Sequence, residues 1–171
     1  MNETAVKTVT ELAATEPTAA FLTPADLLES WQGHRRLTRR TIGAFPDDQL
    51  FSFSVGGMRP FGALAWEMYA VTDYTLGGMV SGEWGEPKWS ATPPQDRASL
   101  LAAWDDLTGR LDALLPTVPP ARYHEVQKTF WATMPGHAIT LYALDNEIHH
   151  RAQGYVYLRA LGVEPVPFWE R

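Results

Sequence analysis

The sequence predicts an all-α protein, a four-helix bundle with a long crossover connection between helices 3 and 4. Four segments of about twenty residues carry apolar residues at helical spacing, and no segment shows the alternation typical of a half-buried strand. The third and fourth segments are separated by a long connection of roughly twenty residues. An antiparallel bundle is the simplest architecture that buries four such apolar faces.

The chain has 171 residues, enough for one domain with a real hydrophobic core and short for two. We predict a flexible N-terminal arm over residues 1–20, which is rich in Thr and Ala, and a single bundle domain over residues 21–171. The arm lacks both the basic and the apolar region of a secretion signal. No run approaches the ~18 consecutive apolar residues of a membrane span. The absence of cysteine suits a reducing compartment, and the expected location is the cytoplasm.

The charge and the missing cysteines exclude several classes of function. A formal net charge of −6 argues against general nucleic-acid binding, which needs a cationic surface. The basic run "HRRLTRR", residues 34–40, is interpreted as a solvated helix face. With no cysteine there is no disulfide, thiolate metal site or cysteine nucleophile. A phosphate-binding loop, a nucleophile elbow and a His-Glu-x-x-His motif are also missing, so no catalytic residue is assigned.

The first helix is predicted from "TPADLLESWQGHRRLTRRTIGAFP". Thr23 is the expected N-cap, Pro24 occupies the first helical position and Asp26 the third. Pro46 ends the helix, because proline cannot continue it. His34 lies one turn beyond Trp31 and is interpreted as a boundary residue, with a cavity-facing position as the alternative.

The second helix is predicted from "PFGALAWEMYAVTDYTLGGMVSG". Leu64, Met68 and Val71, followed by Thr75 or Tyr74, repeat at the spacing of one helix face.

The third helix has the clearest pattern, within "PQDRASLLAAWDDLTGRLDALLP". Its apolar stripe consists of Leu100, Leu101, Trp104, Leu107, Leu111 and Leu114. Pro116 ends it. The connection that follows has room for a short strand pair or a plain crossover, and its two histidines, His124 and His137, are expected at the surface.

The fourth helix is predicted from about Pro135 to Leu161, with Gly162 as its terminator, and contains the polar run "DNEIHHRAQ". Asn146 and His150 lie one turn apart on one face. Asp145 and His149 form a second pair, displaced around the helix. An apolar stripe is expected roughly opposite the first face, made of Leu141, Leu144, Ile148, Tyr155 and Leu158.

Glu67 stands on the apolar stripe of the second helix, where a carboxylate needs a cation, a metal or hydrogen-bond donors. Two interpretations stay open: Glu67 reaches solvent at the edge of the stripe, or it faces Asn146 and His150 across the bundle. A carboxylate, an imidazole and an amide can hold a divalent ion with water completing the shell. A hydrogen-bonded structural cluster explains the same residues.

The last helix and tail resemble a known family. The run "NEIHHRAQGYVYLRALGVEPVPFW" is similar to the last helix of the DinB/YfiT-like family, with its His-x-x-His-His-Arg-Gly-Gln run, Tyr-Leu-Arg, Gly and Pro-rich end. The run "GGMRPFGALAWEMYAV" resembles the family's second-helix segment. The resemblance covers about residues 21–171, and it implies a four-helix bundle, often dimeric.

The resemblance also implies a metal site of three histidines, one on the second helix and an i,i+4 pair on the fourth. These positions fall on Glu67, Asn146 and His150, so one of the three is still histidine. Such a set is harder and weaker than three imidazoles, closer to manganese, iron or magnesium than to zinc or nickel. His149 points away from the site. Arg151 is expected to pair with a carboxylate on a neighbouring helix.

Two functions follow as hypotheses. In the first, Glu67, Asn146 and His150 hold a divalent metal, zinc, nickel or manganese, and the protein is a metal-dependent hydrolase or thiol transferase acting on a small-molecule substrate. In the second, the metal site is degenerate and the protein is a non-catalytic, stress-associated or small-molecule-binding bundle. Both expect a homodimer and no nucleic-acid or membrane partner.

Overall fold

The computed structural model describes residues 22–87 and 92–171, so the predicted arm over residues 1–20 lies outside the described residues. The helices are α1 (Pro24–Ala44), α2 (Phe61–Ser81), α3 (Arg97–Leu114) and α4 (Gly136–Ala160). Between α3 and α4 come two short 3₁₀ turns, Leu115–Thr117 and Pro120–Tyr123, and the strands β1 (Val126–Lys128) and β2 (Thr133–Pro135). The predicted four-helix bundle with its long third connection is confirmed.

The start of α1 follows from its first residues. The Thr23 hydroxyl accepts the Asp26 amide at 3.1 Å, and the Asp26 carboxylate accepts the Thr23 amide at 2.9 Å. This reciprocal capping box satisfies two backbone donors that a helix start leaves free. At the other end Phe45 leaves the helix with extended backbone angles, immediately before Pro46.

The helices α2 and α4 run antiparallel and form the most extensive contact of the bundle. Gly154 of α4 packs against the ring of Phe61, so closely that a β-carbon on Gly154 would lie 2.3 Å from Phe61 Cε2. The missing side chain lets the two backbones approach, which brings the polar residues in the middle of each helix within hydrogen-bonding distance. The helix α1 packs against α3 and α4.

The core lies in two clusters along the bundle. One is built around Trp31, Leu107 and Leu111, and the other around Phe61, Met68 and Trp104. The predicted stripe of α3 supplies fully buried residues to both, with Leu101 and Leu114 at its edges. Burying side chains of this size is the main favourable term in the stability of the bundle.

The connection between α3 and α4 contains a strand pair, one of the two forms the sequence left open. Strands β1 and β2 pair antiparallel, with Gln127 opposite Met134. The Gly136 amide then donates to the Glu125 carbonyl at 3.0 Å as α4 begins. A β-carbon on Gly136 would lie 2.2 Å from the Arg122 carbonyl oxygen, so this start of α4 has no room for a side chain.

The predicted apolar stripe of α4 was wrong in part. Leu141 and Ile148 are exposed, whereas Leu144 and Leu158 are buried. The helix is covered on two sides, by α1 and by α2, and its buried surface includes the polar residues Glu147 and Arg151. Their burial is possible because α1 presents matching polar groups at that height.

The interpretation of residues 34–40 as a solvated face was also wrong in part. Arg36, Arg39 and Arg40 are exposed, but His34 and Arg35 are buried against α4 and α3. Four arginines within six consecutive helical residues cannot all lie on one face. Because α1 packs against α3 and α4, Arg35, which points towards these helices, is buried. Among the described residues, no helix is both long and apolar enough to cross a membrane.

Candidate functional site

Three side chains from α2 and α4 meet between these helices. His150 Nε2 lies 3.0 Å from Glu67 Oε1, and Asn146 Nδ2 donates to the same oxygen at 3.3 Å. The i,i+4 spacing places Asn146 and His150 on one face of α4, as the sequence indicated. Glu67 therefore faces both residues across the bundle, although 26% of its side chain is still accessible to solvent.

Arg59, in the segment before α2, contacts the other carboxylate oxygen. Its guanidinium forms an ion pair with Glu67 Oε2 at 2.5 Å. The backbone of Arg59 is held in turn, because the Tyr157 hydroxyl donates to the Arg59 carbonyl at 3.1 Å. The Arg59 side chain is 56% exposed, so water screens this ion pair and the guanidinium can leave the carboxylate.

The ring of His150 has an acceptor at each nitrogen. Nε2 faces Glu67, and Nδ1 lies 2.7 Å from Gln153 Oε1. Desolvation lowers the pKa of His150, but the hydrogen bonds to Glu67 and Gln153 and the charge of Glu67 outweigh it and raise the pKa above its ordinary value. The geometry therefore favours an imidazolium with both ring N–H groups donating.

Glu67 is strongly ionised. The hydrogen bond with His150, opposed by desolvation and aided by Arg59, lowers the pKa of Glu67 to about 2. The carboxylate receives donors at both oxygens, the arrangement that most favours its charged form.

Asn146 has one atom that the network leaves unsatisfied. Its Oδ1 is buried and has no hydrogen-bond partner among the described residues. A buried acceptor without a donor costs about 1–3 kcal/mol. Rotation of the amide by about half a turn exchanges Oδ1 and Nδ2, so Asn146 can present an oxygen to a cation that lies between it and Glu67, in place of the nitrogen that now donates to Glu67.

The site opens to solvent beside Arg59. A cavity of ≈ 400 Å³ is lined by Arg59, Ala63, Trp66, Glu67 and Ala70. Its lining shows that the Glu67 carboxylate is reachable from outside along α2. A small molecule in this cavity can therefore approach Glu67, which is hydrogen-bonded to Asn146 and His150.

Several residues that the sequence singled out lie away from the Glu67 carboxylate. Asp145 and His149 are exposed, as their position on the helix indicated. His124 and His137 are both exposed, as expected, and His137 Nδ1 lies 2.9 Å from the Tyr123 carbonyl oxygen. None of these four residues has a hydrogen bond to Glu67, Asn146 or His150, although the His149 ring lies edge-on to the His150 ring, with centroids 5.0 Å apart.

Sequence reasoning missed a second polar cluster, centred on Glu147. This carboxylate is 0% exposed. Thr38 Oγ1 donates to its Oε1 at 2.6 Å and Trp31 Nε1 to its Oε2 at 3.3 Å, and the buried guanidinium of Arg35 lies 3.8 Å away. The signal was present in the sequence, since Trp31, Arg35 and Thr38 share one face of α1.

Arg151 completes this cluster and corrects its predicted partner. Its NH1 lies 3.9 Å from Glu147 Oε1 on its own helix, and it donates to Thr38 Oγ1 at 3.1 Å on α1. The prediction that Arg151 pairs with a carboxylate on a neighbouring helix was therefore wrong, because its counter-charge is Glu147 on α4 itself.

His34 lies at the edge of the same cluster rather than at the Glu67 site. Its Nδ1 lies 3.0 Å from Arg151 NH2, and its Nε2 lies 3.1 Å from Arg171 NH1. Burial lowers the pKa of His34 to about 4, with the positive charges of Arg151 and Arg171 acting in the same direction. His34 is therefore neutral at physiological pH and accepts a hydrogen bond on one nitrogen only.

Comparison with known proteins identifies the family. The family model described as the DinB family matches residues 16–171. The chain belongs to the DinB family. No curated protein matches it. Three solved structures are similar to this DinB-family chain, and at identities below 20% they show the fold alone.

A DinB-like protein from Bacillus cereus ATCC 10987 is 18% identical with a TM-score of 0.67, over 84% of this chain and 95% of that one. The DinB-like protein YjoA from Bacillus subtilis is 18% identical with a TM-score of 0.70, over 85% and 97%. YfiT from Bacillus subtilis, described as a probable metal-dependent hydrolase with an unusual four-helix bundle topology, is 16% identical with a TM-score of 0.67, over 87% and 94%.

The donor spacing of the site fits one divalent ion. Two ligand atoms at right angles, each about 2.1 Å from an ion, lie about 3.0 Å apart, which is the distance between His150 Nε2 and Glu67 Oε1. Among residues 22–87 and 92–171, no group of three or more His, Asp and Glu could hold a metal. The oxygen of Asn146, a buried acceptor without a donor, would therefore have to be the third ligand.

Proposed function

We propose that this DinB-family protein has a divalent-metal site of hard character at Glu67, Asn146 and His150, and acts as a metal-dependent hydrolase or thiol transferase. The observation that carries the proposal is the convergence of His150 and Asn146 on Glu67 Oε1, at 3.0 and 3.3 Å, beside a solvent-reaching cavity. The description of YfiT as a probable metal-dependent hydrolase supports it by analogy of fold.

The chain's own residues would divide the work. Glu67 supplies the negative charge, Asn146 an amide oxygen and His150 a ring nitrogen, while Gln153 accepts from Nδ1 and fixes the ring. A bound divalent ion would supply Lewis acidity, which lowers the pKa of a water or thiol. Arg59 must release Glu67 as positive charge enters the site, and its exposed position allows it to turn outward towards the substrate.

Metal uptake should release a proton at neutral pH. His150 Nε2 carries a proton towards Glu67, and a ring nitrogen binds metal only after losing it. Because the pKa of His150 is raised, apparent affinity should increase with pH through that pKa and then level off.

The test is calorimetric titration of chelator-treated protein with manganese, zinc and nickel, together with metal analysis after reloading. Glu67→Gln and His150→Ala should abolish uptake. His149→Ala, which removes the exposed neighbouring imidazole of α4, is the matched control and should bind as the parent does. Uptake below about a tenth of an equivalent for every metal would sink the proposal.

The type of reaction is tested by activity assays on protein reloaded with the metal that it binds. We expect either hydrolysis of an activated ester such as 4-nitrophenyl acetate, or conjugation of a low-molecular-weight thiol to 1-chloro-2,4-dinitrobenzene. The rate should fall to background in Glu67→Gln and stay unchanged in His149→Ala. Metal binding without either activity would restrict the protein to a binding role.

One observation favours the second function, a degenerate site in a non-catalytic, stress-associated or small-molecule-binding bundle. Without metal, Glu67 is already satisfied by Arg59, Asn146 and His150, and His150 by Glu67 and Gln153. A ligand that binds only the native state raises its stability, so thermal melting with and without chelator separates the two functions. An unchanged melting temperature in metal-loaded protein favours this one.

A further inference from the structure

The site opens into a groove along the outward face of α2. The cavity of ≈ 400 Å³ beside Arg59 and Glu67 shares Trp66 and Ala70 with a larger cavity of ≈ 610 Å³, which lies between α2, α3 and residues 83–86. The two cavities therefore adjoin at these two residues of α2. A molecule bound at Glu67 can therefore extend along the helix.

The floor of the groove follows one face of α2. Ala63, Ala70 and Gly77 recur at seven-residue intervals and line it at successive heights. At 1.5 Å per residue the groove extends about 15 Å along the axis from Glu67 to Gly77. This length suits an elongated molecule rather than a compact one.

Its walls are aromatic and held in place. Trp66 stacks on Tyr69, with ring centroids 4.5 Å apart and planes 5° from parallel. The Tyr74 hydroxyl donates to the Gly85 carbonyl at 3.1 Å and accepts the Phe130 amide at 3.0 Å. These contacts join α2 to two connecting segments, so the ring of Tyr74 is held in the wall without a ligand.

The far end of the groove is acidic. Asp73, Glu83 and Glu86 line it with one basic residue, Arg110, whose guanidinium is paired with Asp73 at 2.7 Å. Among the described residues, no basic side chain lies within ion-pairing distance of Glu83 or Glu86. Within residues 22–87 and 92–171, the carboxylates of Glu83 and Glu86 thus have no basic partner and can attract a cation.

We propose that this groove binds an organic ammonium ion on an apolar stem, as the extended part of the molecule on which the Glu67 site acts. Aromatic faces and carboxylates both attract cations, and small floor residues leave room for the stem. The ammonium group would lie beside Glu83 and Glu86, at the end of the groove away from Glu67. That the Glu67 site acts on the other end of this molecule rests on the proposed function, whereas binding of the ammonium group needs no metal.

The experiment compares 4-phenylbutylamine with the neutral 4-phenylbutanol by calorimetry on chelator-treated full chain. The amine should bind at least about fivefold more tightly, in the range of a partly desolvated cation–π contact. The double variant Glu83→Gln, Glu86→Gln should reduce this preference to near unity. The control Asp145→Asn, Glu164→Gln makes the same charge change on exposed residues outside the groove and should keep it.

Equal binding of amine and alcohol by the parent would overturn the proposal, as would an equal loss in both double variants. A preference that survives in the groove variant but disappears in Glu67→Gln places the ammonium at Glu67 and also overturns it. Failure of metal uptake with the amine preference intact would instead remove the proposed function and leave the groove as an ammonium-binding site.

Discussion

At the scale of single residues, the chemistry of the site depends on the proton of His150. Both ring nitrogens face oxygen acceptors, Gln153 on one side and Glu67 on the other. The same ring can give its Nε2 proton to solvent and bind a cation, while Nδ1 keeps its bond to Gln153. His150 therefore links the charge of the site to pH.

Glu67→Gln should lower the pKa of His150 from its raised value, because the Glu67 hydrogen bond and charge both raise it. Desolvation then acts without the opposing carboxylate. Titration of the His150 ring by NMR measures this directly, with His149 as an internal reference. An unchanged His150 pKa would contradict the ion pair.

The same pair predicts how stability varies with pH. A raised folded pKa means that the stabilisation by His150 is present below pH 6.5 and is lost as pH rises through the folded pKa. The difference in unfolding free energy between parent and Glu67→Gln should therefore be larger at pH 6 than at pH 9. Urea denaturation at both values is the measurement, and a difference independent of pH would exclude this coupling.

Gln153 is a positioning residue in this arrangement. Gln153→Ala frees the His150 ring and should weaken metal binding by about 10–100-fold, a typical effect of removing a second hydrogen-bond partner. Gln153→Glu keeps an acceptor at Nδ1 and should restore affinity, which a purely structural role would not require. Calorimetric metal titration of both variants decides between these roles.

At the scale of elements, α4 serves two clusters on two of its sides. One side faces α2 and holds Asn146 and His150, and the other faces α1 and buries Glu147 and Arg151. Burial lowers the pKa of Arg35 to about 10, with Glu147 opposing that shift, so Arg35 stays charged at neutral pH. The helix is thus fixed by ionic contacts where its sequence is least apolar.

Glu147→Gln should be strongly destabilising. It leaves two buried guanidinium groups, of Arg35 and Arg151, without their counter-charge, and breaking such a network typically costs about 3–5 kcal/mol. Urea denaturation measures the loss. Asp145→Asn, at an exposed position of the same helix, should stay within about 0.5 kcal/mol of the parent.

Gly154→Ala should destabilise the contact between α2 and α4 by about 1–3 kcal/mol, because the new methyl group meets the Phe61 ring. Gly109→Ala is the matched control: nothing lies within 4 Å of the added β-carbon on α3, and the change should stabilise by about 0.5–1 kcal/mol. The melting temperatures of the two variants separate the two effects: Gly154→Ala reports the contact with Phe61, and Gly109→Ala reports helix propensity alone. Stabilisation by both would contradict the close approach.

At the scale of the whole molecule, the predicted homodimer stays a prediction, as do the cytoplasmic location and the domain bounds. Sedimentation equilibrium at micromolar concentration should show twice the mass of one chain, and a monomer at all concentrations would contradict it. The exposed Leu141, Ile148 and Val156 form an apolar set on α4. We expect this apolar set to lie in the dimer interface, so Ile148→Asp should lower the fraction of dimer.

Much of the fold was predictable because its signals are local. The capping box of α1, the stripe of α3 and the terminator Gly162, with φ +75, each depend on a few neighbouring residues. Part of the candidate site was predictable for the same reason, since helix geometry alone puts Asn146 and His150 on one face of α4. Arg59 was not predictable, because it reaches Glu67 from an irregular segment.

Local sequence patterns specified four helices, their ends and the polar face of α4 that contains Asn146 and His150. Only the tertiary structure decided that Glu147, rather than Ile148, would be buried. A charged residue can be buried only where another element supplies donors, here Thr38 and Arg35 of α1. Local spacing specifies which side chains share a face, and packing between distant segments decides which face is covered and by which partners.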